Sequence, residues 1–214
     1  MNALGMIEVY SFTTAVCTAD VAVKAADVKI TAFDRNSPKS EKVPAPLVMQ
    51  LKIEGSTSAV KSAVEAGKKY AEDEGKYIVS HIISRPGPDI EKFAYLLDIN
   101  KDKYNKKLPK TFLNSEEELP ETNFAIGLLE VSGLVASITG HVARLKAADV
   151  RLIHSENRLG GRLVTWIIKG SVSAVKAALE AGKEASAPLG KLYGCEVIPN
   201  PHGEIMKFFD FETI

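Results

Sequence analysis

The chain repeats itself, and that property restricts its fold more than any other. Residues 3–30 align with 125–152 without a gap, at 9 identities in 28 positions. The shared frame is Ala3, Gly5, Glu8, Val9 and the Lys-Ala-Ala-Asp-Val run at 24–28, against Ala125, Gly127, Glu130, Val131 and 146–150. Residues 47–86 align with 162–201 at 16 identities in 40, most densely over 58–68 against 173–183. The offset is 122 residues in the first stretch and 115 in the second, so the first copy holds seven extra residues between Ile30 and Leu47. Self-similarity on this scale marks a duplicated structural unit. A chain of 214 residues has room for two domains of about 100 residues each.

Each copy reads as the same string of elements. Apolar, β-branched stretches at 4–9 and 126–131 predict first strands. Helices follow at 13–26 and 135–148. In the first, Val16, Ala19, Val23 and Ala26 recur on one face, and Thr13 or Thr14 is placed to supply the N-cap. Second strands fall at 28–33 and 150–153, third strands at 47–54 and 163–169. The third strands end at Gly-Ser, where Ser56 and Ser171 can cap the next helices. Those helices turn Val60, Ala63, Val64 and Gly67, or Val175, Ala178, Leu179 and Gly182, toward a sheet, and their small residues predict thin layers. Fourth strands at 77–83 and 192–198 lead to Pro86 and Pro201, then to short closing helices within 89–97 and 204–209.

The order is βαββαβ plus a tail helix, an α/β (α+β) fold with helices on one side of a four-stranded antiparallel or mixed sheet. The domains run 1–97 and 123–214. Between them, 98–122 is polar, broken by Pro109 and Pro120, with lysines followed by glutamates, and reads as a charged linker.

Charge and chemistry exclude more than they propose. Lysine plus arginine equals aspartate plus glutamate at 27 each, which removes the basic excess expected of a nucleic-acid or anionic-membrane binder. No apolar run is long enough to span a membrane, and the start lacks a secretory pattern, so a cytoplasmic protein is expected. Cys17 and Cys195 are far apart, and His81, His141, His154 and His202 show no ligand spacing, so no metal and no cofactor are expected. The pair Gly160-Gly161 sits between two strands with no helix opening after it, so it is no phosphate loop, and a hairpin turn is favoured over a backbone lip lining a narrow opening. No catalytic set can be assembled, and the chain is not expected to be an enzyme.

With these residues in hand, the chain resembles the bacterial microcompartment shell domain. The resemblance rests on 3–9 (Ala-Leu-Gly-Met-Ile-Glu-Val), on 24–28, on the Gly-Ser-x-Ser-Ala-Val-Lys helix starts, on 159–165, and on 198–202 (Ile-Pro-Asn-Pro-His). Two copies in tandem resemble the trimer-forming class, in its non-permuted subgroup because the Leu-Gly-Met-Ile-Glu strand comes first. The resemblance implies ferredoxin-like domains, a pseudo-hexameric homotrimer, tiling with other hexameric and trimeric shell proteins, and a central pore for small polar metabolites in a cytoplasmic microcompartment shell.

By the same resemblance, the loops between the second and third strands line the pore: Leu159, Gly160 and Gly161 in the second copy. In the first copy the corresponding stretch holds the extra residues, with Lys39, Ser40 and Glu41 at its middle. Three proline-stiffened loops of this kind either narrow the opening or fold outward. Lys24 and Lys146 match the family's edge lysine, while Arg85-Pro86 and Pro201-His202 each keep part of its edge turn. Neither pore-loop stretch contains the cysteine that some tandem members use to hold an iron–sulfur cluster. The competing expectation from a different class is a duplicated ferredoxin-like regulatory protein that binds a small molecule between its halves.

Overall fold

The computed structural model describes residues 3–38, 42–87, 90, 92–95 and 122–209. The loop residues Lys39, Ser40 and Glu41, and all but the last residue of the 98–122 linker, lie outside them.

The first half runs β1 (Ala3–Tyr10), α1 (Phe12–Ala25), β2 (Val28–Asn36), β3 (Val48–Gly55), α2 (Thr57–Asp73) and β4 (Tyr77–Ile83), with a 3-10 turn at Lys92–Ala94. The second half repeats it as β5 (Ala125–Ser132), α3 (Leu134–Ala147), β6 (Arg151–Glu156), β7 (Leu163–Gly170), α4 (Val172–Ser186) and β8 (Leu192–Ile198), closed by α5 (Gly203–Met206). The sheets are ordered β2-β3-β1-β4 and β6-β7-β5-β8. Every neighbouring pair is antiparallel, which decides between the two sheet types the sequence allowed. Each of the helices α1 to α4 links two parallel strands with a third strand between them, the ferredoxin-like double crossover.

The helices lie close to the sheets because each central strand carries a glycine beneath them. A Cβ on Gly5 would sit 2.8 Å from Val60 and Val64, and one on Gly127 would sit 2.6 Å from Val175. Side chains alternate in direction along a strand. Ala125, Leu129 and Val131 of β5 therefore join the core beneath α3 and α4. Ile126 and Leu128, pointing the other way, join a second core shared with the first domain.

Ser56 and Ser171 cap α2 and α4 as expected, each accepting the N–H three residues on at 3.2 Å. The cap of α1 differs from expectation. Ser11, at φ 77°, is the N-cap, and Thr13 and Thr14 fall inside the first turn. A serine in this left-handed region is strained, but it keeps a hydroxyl that accepts from the Thr14 N–H at 3.3 Å. Gly133 occupies the same position before α3 at φ 90° and offers no side chain. Of the expected closing helices, the described residues show a helical Ile90 and a 3-10 turn at Lys92–Ala94 in the first copy and a four-residue helix at Gly203–Met206 in the second.

Candidate functional site

The two domains meet along a seam in which α1 and the end of β2 lie against the helix-free face of the second sheet and against α5. Carboxylates stitch it. Glu130, fully buried on β5, accepts from the Ser11 hydroxyl at 2.9 Å, the Phe12 N–H at 3.2 Å and the Thr13 N–H at 2.8 Å. A carboxylate there satisfies first-turn donors and lies at the positive end of the helix dipole. Glu204 of α5 accepts from the Ile30 N–H at 3.0 Å and pairs with Lys207. Asp20 of α1 accepts from the His202 N–H at 2.8 Å and holds Lys24 at 2.5 Å.

The remaining seam contacts are close and partly apolar. Gly194 on β8 faces Thr13, and a Cβ at Gly194 would fall 2.5 Å from the Thr13 Cβ. Phe208 meets Phe33 edge-on at 5.0 Å. Lys76 donates to the Tyr193 carbonyl at 2.8 Å. Arg35 at the end of β2 donates to the carbonyls of Arg158 and Leu159, at 3.2 and 3.0 Å.

Because the halves are repeats, seam residues have counterparts on the opposite half, and several of those counterparts are uncovered. Phe12 and Thr13 are 2% and 0% exposed, whereas Leu134 and Val135 are 58% and 68% exposed. Ile138, Val142 and Leu145 continue this bare stripe along α3 where α1 buries Val16, Asp20 and Val23. On the other side, Phe208 is 5% exposed and its counterpart Phe93 is 55% exposed. Val79 and Ile90, matching Gly194 and Ile205, are exposed as well. Two recesses mark the uncovered halves. One, of about 530 Å³, is lined by Gly133, Leu134, Asn157, Arg162, Leu163 and Val164 at the start of α3. The other, of about 440 Å³, is lined by Glu8, Asp34, Arg35, Asn36, Ser37, Gln50 and Leu159.

The residues singled out from sequence fall as follows. Gly160 and Gly161 make the β6–β7 hairpin, with φ of 101° and 64°, followed by Arg162 at 58°. Gly160 is exposed, and Gly161 lies against the Pro46 backbone of the first domain. The Leu159 side chain turns inward and joins the shared core. Lys24 is brought to His202 across the seam by Asp20. The Pro201 carbonyl accepts from the Thr122 hydroxyl, and the His202 imidazole accepts the Glu204 N–H at 3.2 Å. Arg85 and Lys146 lie exposed on opposite halves. Sequence reasoning used Glu8 and Glu130 to align the copies and passed over their chemistry. The signal was an acid kept in the middle of an apolar strand in both copies.

Burial raises the pKa of both Cys17 and Cys195, with Tyr70 hydrogen-bonded to Cys17. A polar cluster distinguishes the second domain: His141 stacks on Trp166 at 4.3 Å, Trp166 donates to Ser137, and the buried Arg144 donates to the imidazole Nδ1 at 2.9 Å. Burial brings Arg144 down to about 10, and burial first and Arg144 second hold His141 down to about 4. At neutral pH the guanidinium is charged, and its Nε and Nη1 have no hydrogen-bond partner among the described residues. Among the described residues, no three His, Cys, Asp or Glu side chains come together as a metal site, and no helix is long and apolar enough to cross a membrane.

Comparison with known proteins identifies the relatives of this chain. The chain is 33% identical over 209 residues to the carboxysome assembly protein CcmO of Synechococcus elongatus, covering 96% of this chain and 67% of that protein. It is 42% identical over 85 residues to the bacterial microcompartment shell protein EutM of Salmonella typhimurium, covering 40% of this chain and 88% of that protein. A crystal structure of a microcompartment protein from Desulfitobacterium hafniense overlaps 96% of this chain and 98% of its own at 22% identity, with a TM-score of 0.37. The family model for the BMC domain matches residues 3–86 and 125–201. The chain therefore belongs to the bacterial microcompartment shell-protein family, with the BMC domain present twice in tandem.

Proposed function

We propose that this shell protein closes head to tail into a homotrimer, a pseudo-hexameric disc that tiles with other hexameric and trimeric shell proteins and passes small polar metabolites through a central pore. One observation carries the reading. The seam inside the chain joins two unlike surfaces, and the molecule leaves part of one further surface of each kind bare: the outer stripe of α3, and the β4 side of the helix-free face of the first sheet at Val79 and His81, with Phe93 beside it. A contact between unlike surfaces, repeated between copies, generates a ring when its rotation closes. The family resemblance supplies the number three. The kinship with carboxysome assembly and microcompartment shell proteins supports the tiling role.

In such a ring the Gly160-Gly161 hairpin and the first-domain loop with Lys39, Ser40 and Glu41 approach the axis. Lys24 with Pro201-His202, and Lys146 with Arg85, form alternating outer edges. Nothing in this role needs a reactive side chain or a cofactor, and we read the protein as non-enzymatic. Sedimentation and native mass spectrometry test the reading. The expected species is a trimer that forms sheets at high concentration, and a chain that stays monomeric at every concentration overturns it.

A further inference from the structure

The helix start that the seam leaves uncapped has a matching acid elsewhere on the same molecule. Inside the chain, the first turn of α1 has two caps, the Ser11 hydroxyl from its own domain and the Glu130 carboxylate from the other. The 14-residue helix α3 has neither, because Gly133 replaces the serine and no side chain among the described residues caps it. Glu8 is the repeat counterpart of Glu130. It points from the helix-free face of the first sheet, half-buried, within 3.4 Å of the Gln50 amide, and lines one recess while Gly133 and Leu134 line the other.

We propose that Glu8 of one chain caps α3 of the next, accepting the N–H groups of Leu134 and Val135 as Glu130 accepts those of Phe12 and Thr13. This inference rests on the head-to-tail trimer and names the residue that orients each junction between copies. A carboxylate at a helix start is directional, whereas the surrounding apolar stripe is not. Glu8 therefore sets register, and the stripe supplies attraction. Glu8 pairs across the sheet with Val79, as Glu130 pairs with Gly194, so the capping acid and the strand residue facing the helix stay adjacent in both halves.

The junction between copies is not an identical copy of the inner seam. Val79 and Val135 take the places of Gly194 and Thr13, and two branched side chains need more room than the 2.5 Å available there. The outer junction is therefore wider beside β4, and the flexible glutamate side chain bridges the extra gap. The same sterics reserve α1 for the glycine-bearing β8.

The test compares the intact chain with Glu8→Ala and Glu8→Gln in trimer dissociation, read by sedimentation, with circular dichroism confirming that each variant folds. Glu8→Ala is expected to raise the dissociation constant between chains at least tenfold, and Glu8→Gln by less, since its amide oxygen still accepts. A second measurement uses Val79→Cys with Val135→Cys. Oxidation is expected to link the double variant between chains into covalent trimers, while either single variant stays unlinked. A trimer that dissociates as readily with Ala as with Glu at position 8 overturns the cap and leaves the trimer standing. A wild-type chain that never trimerises overturns both.

Discussion

Helices α1 and α3 descend from one ancestral element and now live in different surroundings. The outer face of α1 carries Phe12, Thr13, Val16, Asp20 and Val23, all covered by the second domain. The matching face of α3 carries Leu134, Val135, Ile138, Val142 and Leu145, all bare. The covered helix carries Asp20, which makes specific bonds across the seam, and the bare one has Val142 in its place. A seam formed within one chain can rely on directional hydrogen bonds, because the partner is always present. One formed between chains gains from apolar area, which drives association without demanding prior alignment.

The inner faces diverge in the opposite sense. Under α1 the first domain places Ala15, Ala19, Ala22 and Leu51, and under α3 the second places Ser137, His141, Arg144 and Trp166. Arg144 threads past Gly182, where a Cβ would collide with its stem. A buried guanidinium without a carboxylate is costly.

The sharpest way to break the comparison is at the two glutamates. Glu130→Ala strands two backbone donors and a hydroxyl at the buried seam and is expected to lower stability by about 3 kcal/mol in urea unfolding. Glu8→Ala should change the stability of the isolated chain by about 0.5 kcal/mol or less. Equal effects would deny that the two halves differ in exposure. Next, Gly194→Val makes the inner seam resemble the outer one and should cost about 2 kcal/mol through the clash with Thr13. Val79→Gly, the reverse exchange, should leave the monomer's melting temperature nearly unchanged.

Smaller effects are expected beneath the helices. Arg144→Met should raise stability by about 1 kcal/mol, since it removes an unpaired buried charge and keeps the stem's packing. A loss would mean the guanidinium has partners it lacks in the described structure. The last effect is pH dependence. The folded chain keeps His141 neutral down to about pH 4, whereas an unfolded chain takes up its proton near 6.5. Between those values the unfolded state binds more protons, so stability falls as pH drops through the window. His141→Phe keeps a ring on Trp166 and should flatten that part of a melting-temperature profile.

Much of the fold was legible because a repeat is read twice. Strand ends at 77–83 and 192–198, the Ser56 and Ser171 caps, and the Gly160-Gly161 hairpin all follow from local chemistry that acts within a few residues. The cap of α1 escaped for a physical reason: Ser11 sits at a left-handed φ usually left to glycine, as Gly133 shows, so the two threonines looked like better candidates. The seam escaped because periodicity reports that a helix has an apolar face without saying what covers it. Helix α1 buries nearly its whole circumference, and the face marked by Val16, Ala19, Val23 and Ala26 mixes residues from both of its contacts. Only the folded chain reveals that Glu130 points at another domain's helix, 117 residues away in sequence at Thr13.

The tight fit of Gly194 on Thr13 has a kinetic consequence. With that contact made inside each chain, half the junctions of the proposed disc form at a rate independent of protein concentration. A disc then requires three bodies to meet instead of six, so its concentration threshold is lower and rings with a missing sector are rarer than they would be for single-domain pieces.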